Sequence, residues 1–163
     1  MFIQALYDEA DRAGVELPSP RRYHAFHSYP LRECMERTLE AASLIHPDCT
    51  QRDAIHRLGW LSYQTFADSM IGRAVFGIAG RDVGRILKLA SRGASIASSV
   101  GKIEVASLSD DSVMLYVFEI YVFAECFNVG ITEGVLRACG KQGFVAQKMT
   151  SLTEGEFYLR WSD

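Results

Sequence analysis

The stretch FGIAGRDVGR, residues 76–85, decides the fold. Three glycines and two arginines in ten residues pose a choice between a phosphate cradle and a junction of two helices. A dinucleotide fingerprint needs GxGxxG after a buried strand, and a Walker loop needs GxxxxGK followed by Ser or Thr. Neither spacing is present, and a helical pattern precedes the segment instead of a strand. Gly77 and Gly80 therefore read as the stop of one helix. Asp82 opens the next, where a carboxylate complements the helix dipole. Val83, Ile86, Leu87 and Ala90 form that helix's apolar stripe. A junction here argues against a phosphate-binding loop.

Toward the N-terminus the spacing stays helical. Ile3, Leu6, Tyr7 and Ala10 share one side of a helix over residues 3–14. LPSPRRYHAFHSYP, with three prolines, reads as an irregular loop. Pro30 suits the first turn of a helix that runs to about His46 on Leu31, Cys34, Met35, Leu39, Ala42 and Ile45. Thr50 and Asp53 make a near capping box for a long helix from about Gln51 to Phe76. Its apolar side includes Ile55, Leu58, Tyr63, Phe66 and Met70. Gly59 and Gly72 lie inside it, where glycine costs about 1 kcal/mol against alanine, so each marks a close helix crossing.

Toward the C-terminus the period changes after Gly93. KIEVASLSDDSVMLYVFEI reads as a hairpin turning at SDDS. Helical spacing returns from about Phe127 to Cys139. GFVAQKMTSLTEGEFYLRWS closes the chain as a second hairpin about Thr153–Gly155, with Phe157, Leu159 and Trp161 on one face and Tyr158 and Arg160 on the other. Helices followed by β-β-α-β-β predict an α+β fold over residues 1–163, one domain, with an N-terminal helical layer on a four-stranded antiparallel sheet.

Composition bounds the function. The net charge of −3 argues against nucleic acid as the main partner. No apolar run reaches the ~20 residues of a membrane span. The start lacks a basic leader, which points to a cytoplasmic protein. Cys34, Cys49, Cys126 and Cys139 form no CxxC pair or finger pattern, so reduced thiols are expected. Charge is unevenly spread: residues 73–102 carry six basic and one acidic side chain, between acidic flanks.

With these residues in this order, the chain resembles an uncharacterised domain family found mainly in myxobacteria. The matching stretches are YPLRECMERTLEAAS, HPDCTQRDAIHRLGWLSYQTFADSMIGRAVFG, the KIEVASLSDDSVMLYVFE hairpin and GEFYLRWS. More distantly, the element order is similar to the superfamily of the 4-vinyl reductase domain, the haem nitric-oxide domain and the Golgi transport subunits. That resemblance implies a helical layer over an antiparallel sheet, and binding of small molecules or a role in assembly. It carries no functional residues with it.

Cofactor and catalytic motifs are missing. The Tyr-x-Ser-x-Arg haem signature is absent. His24 and His27 fall in the proline-rich loop, His46 at a helix end, and His56 reads as an ordinary helix residue. Four zinc ligands cannot be assembled locally. No GxSxG occurs, and Asp110–Asp111 reads as a solvated hairpin tip. The expectation is no enzyme, no cofactor and no metal.

Three surfaces remain. Trp60, Tyr63 and Phe66, with Met70 and Arg73, either line an apolar pocket or pack as core. Arg81, Arg85, Lys88 and Arg92, at steps of four, three and four, share a helix face that is either merely solvated or engages an acidic protein or anionic surface. VMLYVFEIYVFAECF, residues 113–127, is apolar on both faces in its first part. Its second face needs a cover, either the chain's own N-terminal helix or a second copy through Tyr116, Phe118, Tyr121 and Phe123, giving a homodimer. Two functions compete: a sensor module in bacterial signalling that holds an apolar small molecule, and a protein-interaction or assembly subunit without one.

Overall fold

The computed structural model describes residues 2–18 and 28–162. Most of the LPSPRRYHAFHSYP segment, including His24 and His27, lies outside them. Among the described residues, six helices and four strands follow the order α1 (Phe2–Ala13), α2 (Leu31–Ile45), α3 (Gln51–Asp68), α4 (Met70–Ala79), α5 (Val83–Ala97), β1 (Lys102–Ser109), β2 (Ser112–Phe118), α6 (Phe127–Ala138), β3 (Gln142–Met149) and β4 (Gly155–Ser162). The strands form one antiparallel sheet in the order β1-β2-β4-β3. The α+β architecture expected from the sequence is what the chain adopts.

The caps explain the boundaries. Thr50 Oγ1 accepts from the Asp53 amide at 3.2 Å and donates to Asp53 Oδ2 at 2.7 Å, starting α3. Asp82 Oδ1 accepts from the Arg85 amide at 2.9 Å, starting α5. Gly80 closes α4 with φ of +64°, a left-handed conformation that suits glycine. FGIAGRDVGR is thus a helix–helix junction.

Four sequence expectations change. The helix expected over residues 51–76 is two helices, because Ser69 breaks it. Its hydroxyl donates to the Phe66 carbonyl at 2.6 Å and accepts from the Gly72 amide at 3.0 Å, ending α3 and capping α4. Gly77 stays inside α4, and α5 runs past Gly93 to Ala97. The apolar run from residue 113 leaves the sheet after Phe118. Glu119 has φ of +53°, and residues 121–126 are turns.

Two apolar clusters hold the elements. One joins α1, α2 and the first half of α3 through Leu6, Ala10, Ala41, Ala42, Ile55 and Leu58, with Cys126 and Phe127 from the start of α6. The other lies between the sheet and α3–α6, centred on Val83, Ile86, Val113, Val135, Phe157 and Leu159. Alternation along the strands sends Val113, Leu115 and Val117 of β2 into this cluster. Helix α1 packs on α2 and α3, so among the described elements it does not cover the sheet.

Candidate interaction surfaces

The outer face of the sheet is built by strand register. Tyr116 lies between Glu104 and Glu156, and Met114 between Ala106 and Tyr158. On β3, Ala146 extends the Met114 row past Tyr158, Lys148 extends the Tyr116 row past Glu156, and Phe144 lies in the next row beside Arg160. The helices α5 and α6 pack on the opposite face, where Val113, Leu115, Phe157 and Leu159 are buried. Met114, Tyr116 and Tyr158 are left half-buried, and Phe118 and Phe144 are exposed. The Phe144 and Tyr158 rings meet edge-on with centroids 6.0 Å apart. Lys102, Glu104, Glu156, Lys148 and Arg160 ring this apolar centre. Of the four residues singled out in the run, Tyr116 and Phe118 belong to the face. Tyr121 sits exposed in the following turn, and Phe123 packs on the N-terminal helical cluster. Sequence reading missed Phe144, whose position beside Tyr158 depends on β3–β4 register.

The α4–α5 segment is the second surface. Arg81, Arg85, Lys88 and Arg92 are all exposed. Arg85 approaches Asp82 at 3.4 Å. No carboxylate pairs with Arg81, Lys88 or Arg92 among the described residues. Helix α4 is apolar nearly all round. Gly72 and Ala79 are buried against the body, while Met70, Ile71 and Ile78 on the other side are 80%, 52% and 77% exposed.

The five proposed pocket residues are not gathered around one cavity. Tyr63 is buried in the sheet-side cluster, its ring 5.6 Å from that of Phe66. Trp60 lies half-buried under the Arg137 guanidinium, 4.9 Å from the ring centroid. Met70 and Arg73 stand beyond the Ser69 break, exposed on α4. Two open clefts flank Arg81. One, of about 340 Å³, runs past Asp82, Ser107, Ser109, Lys141 and Trp161. The other, of about 650 Å³, runs past Gln64, Asp68, Phe76 and Arg137.

Burial favours the neutral form of the thiols and the phenol in the interior. Burial pushes the thiols of Cys126 and Cys139 up to about 11, and the Tyr63 phenol upward, with its hydroxyl buried and unpartnered. The four cysteines are free. Among the described residues no cluster of three or more His, Cys, Asp or Glu is placed to hold a metal ion, and no helix is long and apolar enough to cross a membrane.

A helical layer on a four-stranded antiparallel sheet in this order is the H-NOX-like α+β fold. The chain is similar to the Fe(II) unliganded H-NOX protein from K. algicida, with TM-score 0.68 and 13% identity over 99% of this chain and 93% of that one. It is also similar to an oxygen-binding H-NOX domain related to soluble guanylate cyclases, with TM-score 0.71 and 12% identity over 99% and 92%. At such identities the likeness is one of fold. No curated protein matches the chain. Residues 4–162 match the family described as proteins of unknown function, DUF2378, and the chain belongs to it.

Haem, which the fold likeness brings to mind, does not fit the residues described. The space between helices and sheet is filled by Ile86, Val135, Phe157 and Leu159, all fully buried. Neither described histidine reaches it: His46 caps the end of α2, and His56 Nε2 lies 3.0 Å from Glu133 on the α3–α6 surface. Cys139, the thiol that does lie there, is held protonated.

Proposed function

We propose that residues 1–163 form one non-enzymatic interaction module, which pairs with a second copy through the outer sheet face and meets an anionic partner through α5. The observation that carries the reading is the face of Met114, Tyr116, Tyr158 and Phe144, which no described element covers. A sheet with one packed and one wet face ordinarily alternates apolar with polar residues. Here the wet side is apolar at its centre and charged at its rim, the anatomy of an association surface. Four strands at ~4.8 Å spacing and ~25 Å length offer roughly 500 Å² per copy. A two-fold pairing would bury about 1,000 Å² in total, just enough for a specific interface.

Sedimentation equilibrium at micromolar concentration tests this. The expected mass is twice 18.2 kDa, falling to the monomer in Tyr116→Arg. A wild-type monomer would refute the pairing.

The sensor reading, a cytoplasmic signalling module holding an apolar small molecule, keeps support from the fold shared with H-NOX domains and from the unpartnered Tyr63 hydroxyl. Its kinship with 4-vinyl reductase domains and Golgi transport subunits, and a myxobacterial origin, belong to the same proposal. Native mass spectrometry of fresh protein separates the two functions: a retained small molecule favours the sensor.

A further inference from the structure

Helix α4 poses a problem the sheet face does not solve. A helix that is apolar all round is normally buried all round. MIGRAVFGIA is buried on one side only. Its solvent side presents Met70, Ile71, Ala74 and Ile78, spaced to lie along one face, with Met70 and Ile78 about four-fifths exposed. Arg73 is exposed on the same helix. Three residues past Ile78 the cationic ladder begins at Arg81 and continues through Arg85, Lys88 and Arg92 of α5. Ile96, four residues beyond Arg92 on that face, is 89% exposed. Residues 73–102 hold six cations against the single carboxylate of Asp82.

We propose that α4 and α5 form a peripheral membrane-docking surface for a bilayer rich in anionic lipid. The inference rests on the anion-seeking reading of α5 and names its partner. Charge complementarity requires a negative occupant, and it opposes a second copy, since two such faces would repel. The apolar side chains decide between lipid and protein. Met70, Ile71 and Ile78 are strongly exposed aliphatic side chains, and none is aromatic. Protein hot spots favour Trp, Tyr and Arg seated in fitted pockets. Exposed aliphatic side chains suit a fluid acyl phase that moulds around them, while flanking cations find headgroup phosphates. Among the described residues, Arg81, Lys88 and Arg92 have no ion-pair partner to give up. Membrane docking thus costs them no lost ion pair.

The test is co-sedimentation of the full chain with vesicles of phosphatidylcholine alone, or with phosphatidylglycerol added at about one lipid in three. Binding is expected only to the anionic vesicles, weakening as salt shortens the screening length. Lys88→Glu with Arg92→Glu should lower partitioning at least roughly 30-fold, about fivefold for each cation removed and more for the anions added. Met70→Ser with Ile78→Ser should lower it about tenfold or more through lost apolar insertion. All four sites are exposed, and circular dichroism checks that each variant is folded. No binding to anionic vesicles overturns the proposal, and so does equal binding to neutral ones. Full retention in Met70→Ser/Ile78→Ser, with matching retention on polyglutamate, would assign the face to an acidic protein and also overturn it. Dimer mass is read separately, at Tyr116, so failure here leaves the sheet-face pairing standing.

Discussion

Gly59 and Gly130 hold α3 and α6 at backbone contact. A Cβ on Gly59 would come 2.1 Å from the Phe127 carbonyl oxygen, and one on Gly130 would come 2.0 Å from that of His56. Gly134 repeats the approach one turn on, against Tyr63. Because α3 belongs to both apolar clusters, this crossing ties the N-terminal helices to the sheet.

Gly130→Ala should therefore cost about 3 kcal/mol or more, since backbone on both sides must move. Gly77→Ala is the control. Gly77 lies inside α4 with nothing within 4 Å of its Cβ position, so alanine should stabilise by about 0.5–1 kcal/mol. Urea denaturation of the two variants reads both signs. Equal effects would mean that helix propensity, not contact, governs these sites.

Ser69 sets the direction of α4, and with it the side that meets solvent. Ser69→Ala removes the cap bond to the Gly72 amide and should cost about 1 kcal/mol. Gly72→Ala should cost more, because its Cβ would lie 1.9 Å from the Phe66 carbonyl oxygen. Thermal unfolding gives the order; a larger loss for Ser69→Ala would contradict it.

The sequence made the element types legible because their signals are local. Asp82, Thr50 and Gly80 act within one turn of where they stand, and alternation marks β4 directly. What stayed hidden depends on distant residues. Gly59 signals a crossing, but its counterpart at Gly130 emerges only when α6 is laid against α3, although the Gly130–Gly134 spacing was there to be read. Ser69 looked like an interior helix residue, since a serine that bonds back to its own turn has the same sequence appearance as one facing solvent. Met70 fell on the stripe of a helix presumed continuous, and the break at Ser69 turned it outward. The aromatic outer face needed the pairing of β3 with β4, which brings Phe144 beside Tyr158.

His46 gives the fold a pH dependence with a fixed sign. Its Nε2 is buried without a partner at the end of α2. Burial, and then the nearby Arg57 charge, lower its pKa below 6.5, against a smaller opposing effect from Glu9. The unfolded chain therefore binds a proton more readily than the folded one in the window extending downward from about pH 6.5. Where the unfolded state holds more protons, stability rises with pH. The contribution is thus fully present above pH 6.5 and lost as pH falls through the folded-state value. His46→Gln keeps the approximate size and removes the titration. Wild type should lose more stability than His46→Gln when urea midpoints are compared between pH 7.5 and pH 5. If both curves fall in parallel, acid sensitivity arises from the carboxylates, and His46 contributes nothing to it.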